Sequence, residues 1–215
     1  MGWLKATINS SIGRKTVMAV TGLLLALFIL GHLLGNATAF LGRAAFEAYA
    51  GHLHGLGPLL HLAEVILLLA FTLHLGFGLY LFLDNLRATP TRNAVRRNAG
   101  GRTWGSQTMP YTGLALLLFL LLHLVQFHFS AYASVSDLVR DHLSRPLTGA
   151  LYLAGLGALA LHLSHGLWSF WQSLGLSHPK YDLFLERGAF GLGIFIGALF
   201  AMLPILAIFW PGFLR

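Results

Sequence analysis

Apolar residues fall into five long runs along the chain, each ended by a cluster of Pro, Gly and charge. The runs cover about 16–40, 58–83, 110–133, 147–171 and 188–210. A hydrocarbon layer about 30 Å thick takes about 20 residues of helix to cross, and every run is long enough. Inside lipid a single span has to satisfy its own backbone hydrogen bonds, which only a helix does. The pattern therefore predicts an all-α integral membrane bundle of five transmembrane helices, one domain over residues 1–215. The breaks are Arg43 to Pro58, Asp84 to Pro110, Ser134 to Pro146 and Leu174 to Arg187. Ahead of the first run, residues 1–12 carry Trp3, Leu4 and Ile8 and suit a short helix lying on the inner surface. The first run follows basic residues and ends at Ala37-Thr38-Ala39, as a cleavable signal would. Its apolar stretch outlasts the usual 7–15 or so residues, so a retained span is expected.

Composition sharpens this. The chain has 215 residues, 56% hydrophobic and 10% charged, against about 25% charged in a soluble domain. The net charge of +7 would suggest nucleic acid on a soluble protein. Here the basic residues lie between apolar runs, so no nucleic-acid partner is expected and charge reports orientation. With the N-terminus in the cytoplasm, the inside segments hold Lys5, Arg14, Lys15, Arg87, Arg92, Arg96, Arg97, Arg102, Lys180 and Arg187. The outside segments hold Arg43, Arg140, Arg145 and Arg215. That asymmetry predicts N-terminus in and C-terminus out. The chain has no cysteine, which excludes disulfides, cysteine-ligated iron–sulfur clusters and c-type haem attachment within it. Gly31-x-x-x-Gly35 and Gly193-x-x-x-Gly197 suit close helix packing. A flat macrocycle against a helix needs equally small neighbours.

Eleven histidines in so apolar a chain need a reason. His32 lies in the first span, His61 and His74 in the second, His123 and His128 in the third, His162 and His165 in the fourth. His52, His54, His142 and His178 belong to the breaks. A polar ring in lipid is expensive and normally faces a partner or cofactor inside the bundle. At 1.5 Å per residue His32 lies about 24 Å and His123 about 20 Å from the inner edge. His74 lies about 15 Å and His162 about 14 Å from it. Two levels result, an outer pair and an inner pair. Iron bound by imidazole on both faces of haem leaves no open position and suits electron transfer. Zinc would want three or four ligands at one depth, and scattered structural histidines are the bland alternative. His162 and His165 share a helix face, so either suits the inner level. His123 and His128 are about 140° apart around an α-helix, so one of them serves.

At these residues the chain resembles a known family: the single-chain dihaem cytochrome b subunit, b558 type, that anchors succinate dehydrogenase or quinol:fumarate reductase. The likeness spans the whole chain. It is carried by Ser10-Ser11-Ile12-Gly13-Arg14-Lys15, by Met18-Ala19-x-Thr21-Gly22-Leu23 and by Gly31-His32-Leu33-x-Gly35-Asn36. Its most specific run is His162-Leu163-Ser164-His165-Gly166-Leu167-Trp168-Ser169-Phe170, continuing to Gln172-Ser173-Leu174-Gly175 and His178-Pro179-Lys180-Tyr181. The resemblance implies His32 with His123 on the outer haem iron and His74 with His162 on the inner. His162 is selected because the family ligand precedes the Gly-Leu-aromatic step by four residues. It further implies two haem b groups, menaquinone as substrate, and separate flavoprotein and iron–sulfur subunits docked on the cytoplasmic face of a bacterial inner membrane. Another dihaem anchor, of a hydrogenase or formate dehydrogenase, is the nearest rival. A haem-free scaffold or transporter is the rival of a different class.

Glu64 is the one carboxylate well inside a predicted span, with His61 one turn away. Quinone chemistry consumes or releases protons, and such a pair is suited to carry them; a solvated interfacial carboxylate is the plainer reading. Haem propionates need basic or hydrogen-bonding partners. Arg14, Lys15, Trp104 and Gln172 are the inner candidates and Arg145 the outer one, although each is equally suited to anchoring a span at the interface.

Overall fold

A computed structural model describes residues 2–88 and 104–215. The side chains of Leu4, Lys5, Ile8, Asn9 and Trp104 are outside the described set. The structure is all-helical over these residues. A short α1 (Gly2–Asn9) precedes α2 (Ser11–Ala37), which a 3-10 turn (Thr38–Leu41) joins to α3 (Arg43–His54). Then come α4 (Pro58–Ala88), α5 (Trp104–His123) with a π turn (Leu124–His128), α6 (Val135–Leu143), α7 (Pro146–Ser173) and α8 (Asp182–Phe209). Five of these stretches are long and apolar enough to cross a membrane: Ser11–Leu41, Pro58–Ala88, Gly105–His128, Pro146–Ser173 and Asp182–Phe209. The chain is a multi-pass membrane protein. Its exterior is rich in exposed Leu, Ile, Val and Phe, on α4 above all, where lipid replaces water as the neighbour.

Start signals are local. Ser10 caps α2 by accepting from the Gly13 N–H at 3.0 Å, and Pro146 opens α7 where its missing N–H costs nothing. The third span sits lower in sequence than its hydropathy implied. It begins at Trp104, with Pro110 inside the helix, and its helical turns end at His128. Gly105 to Thr108 read as a break because they are polar, yet a helix continues past the hydrocarbon into the headgroup layer. Proline is tolerated there because neighbouring groups satisfy the freed carbonyl. At the other end the backbone widens: the Phe129 N–H reaches back five residues to the Leu124 carbonyl at 3.0 Å.

Two predicted breaks hold helices, α3 and α6, too polar for a hydropathy scan to notice. They pack on each other and close one end of the bundle. Arg43 grips Asp137 with two bonds of 2.9 and 2.8 Å. Glu47 accepts from the Ser134 hydroxyl and from the Ser136 N–H at 2.9 Å. Asp137 is held down to about 2, chiefly by the Arg43 bond. Burial works to raise Glu47, but the Ser134 and Ser136 bonds outweigh it and keep the group below its ordinary value.

α7 is the central post. It packs on α8, α5 and α2, while α4 packs on α2. Gly193 and Gly197 let α8 lie against α7: a Cβ on Gly193 would come within 2.8 Å of the Ala160 carbonyl and the Ser164 nitrogen. The Gly193-x-x-x-Gly197 expectation of close packing therefore holds. Gly31 has open space where its Cβ would be, and Gly35 instead seats the Tyr49 ring.

Candidate functional site

Within the bundle α2 packs closely on α4, and α5 on α7. The deep histidines bridge between the pairs. His32 on α2 faces His123 on α5, with ring centroids 5.9 Å apart and planes at 88°. His74 on α4 faces His162 on α7, with centroids 6.3 Å apart and planes at 69°. The helices so joined, α2 with α5 and α4 with α7, are not among the closely packed pairs. The first pair lies toward the α3/α6 end and the second toward the α1 end. They are called the outer and inner pairs below.

The spacing tests what such pairs can hold. Two imidazoles bound to opposite sides of one metal ion, each nitrogen about 2 Å from it, have ring centroids about 6 Å apart. Both pairs fit. Among the described residues no group of three or more His, Cys, Asp or Glu is arranged to hold a metal ion, whereas haem iron asks for two protein ligands only. The donor set, and the spacing of α2 from α5 and of α4 from α7, fit haem. The ring that faces His74 is that of His162; His165 sits beside α5, where a Cβ on Gly105 would meet its Cβ at 2.7 Å.

Each ring has a polar neighbour. Thr21 Oγ1 is 3.3 Å from His74 Nδ1, and Thr112 Oγ1 is 3.2 Å from His162 Nδ1. Gly22 gives His74 room, since a Cβ there would meet its Cε1 at 3.0 Å, whereas a Cβ on Gly113 would be in ordinary contact with Cε1 of His162 at 3.7 Å. In the outer pair, the buried Tyr152 hydroxyl is 3.4 Å from His123 Nδ1. The Asn36 amide donates to the His32 carbonyl at 2.8 Å and lies 3.3 Å from its Nε2.

These neighbours escaped the sequence reading, although a signal for two of them exists. Met18-x-x-Thr21-Gly22-Leu23 leads through Phe28 to His32, and Met109-x-x-Thr112-Gly113-Leu114 leads through Phe119 to His123 at identical spacing. The following spans repeat as well. Pro58, His74 and Gly78-Leu79-Tyr80 match Pro146, His162 and Gly166-Leu167-Trp168 at identical spacing. The chain is built as a doubled helix pair with α8 added.

Glu64 and His61 meet as expected, at 3.1 Å. The structure adds His128, whose Nδ1 is 4.0 Å from the Glu64 carboxylate. The π turn carries His128 toward α4 while His123 stays on the α2 side. The group sits at the α3/α6 end and is reachable from outside, the His61 side chain being 78% exposed.

The propionate candidates are dispersed. Arg14 lies over the Tyr80 ring at 4.2 Å, tying α2 to α4 at the α1 end. Lys15 and Gln172 are exposed, as is Arg145 at the start of α7. Trp104 opens α5, and its side chain lies outside the described residues. Arg92, Arg96, Arg97 and Arg102 also lie outside them.

Comparison with known proteins agrees with the resemblance read from the histidine-bearing runs. The chain is similar to the succinate dehydrogenase cytochrome b558 subunit of Bacillus subtilis (strain 168), 26% identical over 155 residues. The match spans 70% of this chain and 73% of that protein. No family model matches the chain, and no solved structure matches it.

Proposed function

We propose that this chain is the dihaem cytochrome b anchor of a succinate:quinone oxidoreductase in a bacterial inner membrane, its N-terminus cytoplasmic. The observation that carries the proposal is the presence of two facing histidine pairs at two depths. The cytochrome b558 name of the similar protein supports it. His32 with His123, and His74 with His162, are the residues that hold two haem b groups. Bound there, haem b supplies one-electron carriage between an iron–sulfur subunit on the cytoplasmic face and menaquinone.

The chain's own residues do the rest. The two imidazoles of each pair would hold one haem between them and keep oxygen from binding it. The apolar faces of α2, α5 and α8 exclude water: Phe28 stacks on His32 at 5.5 Å and Phe200 lies 5.8 Å from it. Glu64 exchanges a proton with quinone at the outer end, with His61 and His128 as its partners. Arg14, Lys15, Trp104 and Gln172 at the inner face and Arg145 at the outer face are the propionate partners. The flavoprotein and iron–sulfur subunits dock at the α1 end, where the basic residues collect.

The test is a reduced-minus-oxidised spectrum of the purified complex, with haem counted per polypeptide and co-purifying subunits identified. Two b-type haems with a succinate-oxidising flavoprotein are expected. A nickel or molybdenum partner would instead make the chain the anchor of a hydrogenase or formate dehydrogenase. A folded chain without haem, made with ample haem supply, would leave a scaffold or transporter.

A further inference from the structure

An imidazole that binds a metal through one nitrogen is aimed by whatever holds the other, and that partner also raises its basicity. In the inner pair the partner and the direction of its bond can both be read. Thr21 Oγ1 donates its single proton to the Val17 carbonyl at 2.7 Å. Toward His74 it can only accept, so the proton between them belongs to His74 Nδ1. Thr112 repeats this on α5. Its hydroxyl donates to the Thr108 carbonyl at 3.1 Å and accepts from His162 Nδ1 at 3.2 Å. Nε2 of each ring is left with its lone pair.

Threonine supplies the acceptor in both seats, and at Thr21 the glycine after it lets the His74 ring lie close against the helix. Thr21 and Thr112 are two of only four buried polar residues among those described. Each stands eleven residues before the outer-pair histidine of its own helix. One helix thus carries an outer-level ring and the seat for an inner-level ring on its neighbour. In the outer pair the Tyr152 hydroxyl and the Asn36 amide stand beside the rings in place of threonine.

We infer that Thr21 and Thr112 are positioning residues for the inner haem, each fixing Nδ1–H of the histidine on the adjacent helix and so directing Nε2 at the iron. This rests on the haem assignment proposed above. Two hydrogen-bonded ligands donate more strongly and favour the ferric state, which holds the inner potential down relative to unassisted imidazoles.

Thr21→Val and Thr112→Val keep the shape and remove the acceptor. In the intact complex, redox titration of each variant should show the inner haem's midpoint shifted upward and the outer haem's unchanged. Inner-haem retention should weaken by about 10- to 100-fold. Thr21→Ser and Thr112→Ser should restore both, because they keep the hydroxyl. The outer haem is the control for folding within the same molecule. Val variants that keep both haems at wild-type potentials would overturn the inference, as would Ser variants that behave like Val. If a Val variant fails to assemble, Thr→Ala against Thr→Ser makes the same comparison, and equal behaviour overturns it. A wild-type complex without haem would overturn the haem assignment itself, and the inference with it.

Discussion

His32 and His123 face each other with ring centroids 5.9 Å apart, yet α2 and α5, which carry them, are not closely packed. A direct hydrogen bond between two imidazoles would draw the rings closer. The separation suits two ligands on one ion, as proposed above. His32→Ala or His123→Ala should each remove the outer haem and leave the inner. His74→Ala or His162→Ala should do the reverse. His165→Ala should keep both, because its Cβ lies against Gly105 and the ring facing His74 is that of His162. Difference spectra with haem counted per chain decide this, and loss of a haem in His165→Ala together with two haems in His162→Ala would refute the assignment.

Glu64→Gln should slow quinone turnover by about 10²–10⁴-fold, the usual contribution of a positioned proton donor, with both haems retained. His128→Ala should share part of the defect, because its Nδ1 is 4.0 Å from the Glu64 carboxylate. Steady-state assays with a menaquinone analogue, alongside spectra of the same preparations, separate proton delivery from haem loss. Unchanged turnover in Glu64→Gln would leave it a solvated interfacial carboxylate.

The α3/α6 cap carries a low-pH dependence. Asp137 titrates near 2 in the folded chain, against an ordinary value of 3.8. A carboxyl lowered by folding contributes stability that is fully present above its unfolded value and is lost as pH falls toward the folded one. Thermal unfolding of the detergent-solubilised protein should hold its midpoint from neutrality to about pH 5 and fall between about pH 4 and 2. Glu47, also lowered, adds to the same slope. Asp137→Asn should flatten it. An equally steep fall in that variant would assign the acid sensitivity elsewhere.

Gly193→Ala tests the α7/α8 contact. Its Cβ would sit 2.8 Å from the Ala160 carbonyl and the Ser164 nitrogen. Both are backbone atoms and cannot step aside, so the helices have to separate, at about 1–3 kcal/mol. Gly157→Ala, with nothing within 4 Å of the new methyl, should be neutral by the same thermal measurement.

Much of this was legible in one dimension. Hydropathy located five spans because lipid demands about twenty apolar residues of any helix that crosses it. It missed α3 and α6, whose polar faces pair through Arg43 and Asp137 only once the chain has folded back. It also placed the third span late, because Gly105 to Thr108 are too polar to count as membrane.

The sequence by itself determined that the chain spans the membrane five times and carries deep histidines on four of those spans, because solvation and helix rise depend on residue order alone. Only the tertiary structure decided which rings meet, that His162 is the ring facing His74, that a π turn sends His128 to Glu64, and that Thr21 and Thr112 stand behind the inner pair. Those facts depend on the rotation of each helix about its axis and on which helix lies beside which. Packing sets both, through contacts such as Gly193 on Ala160 that join residues far apart in the chain.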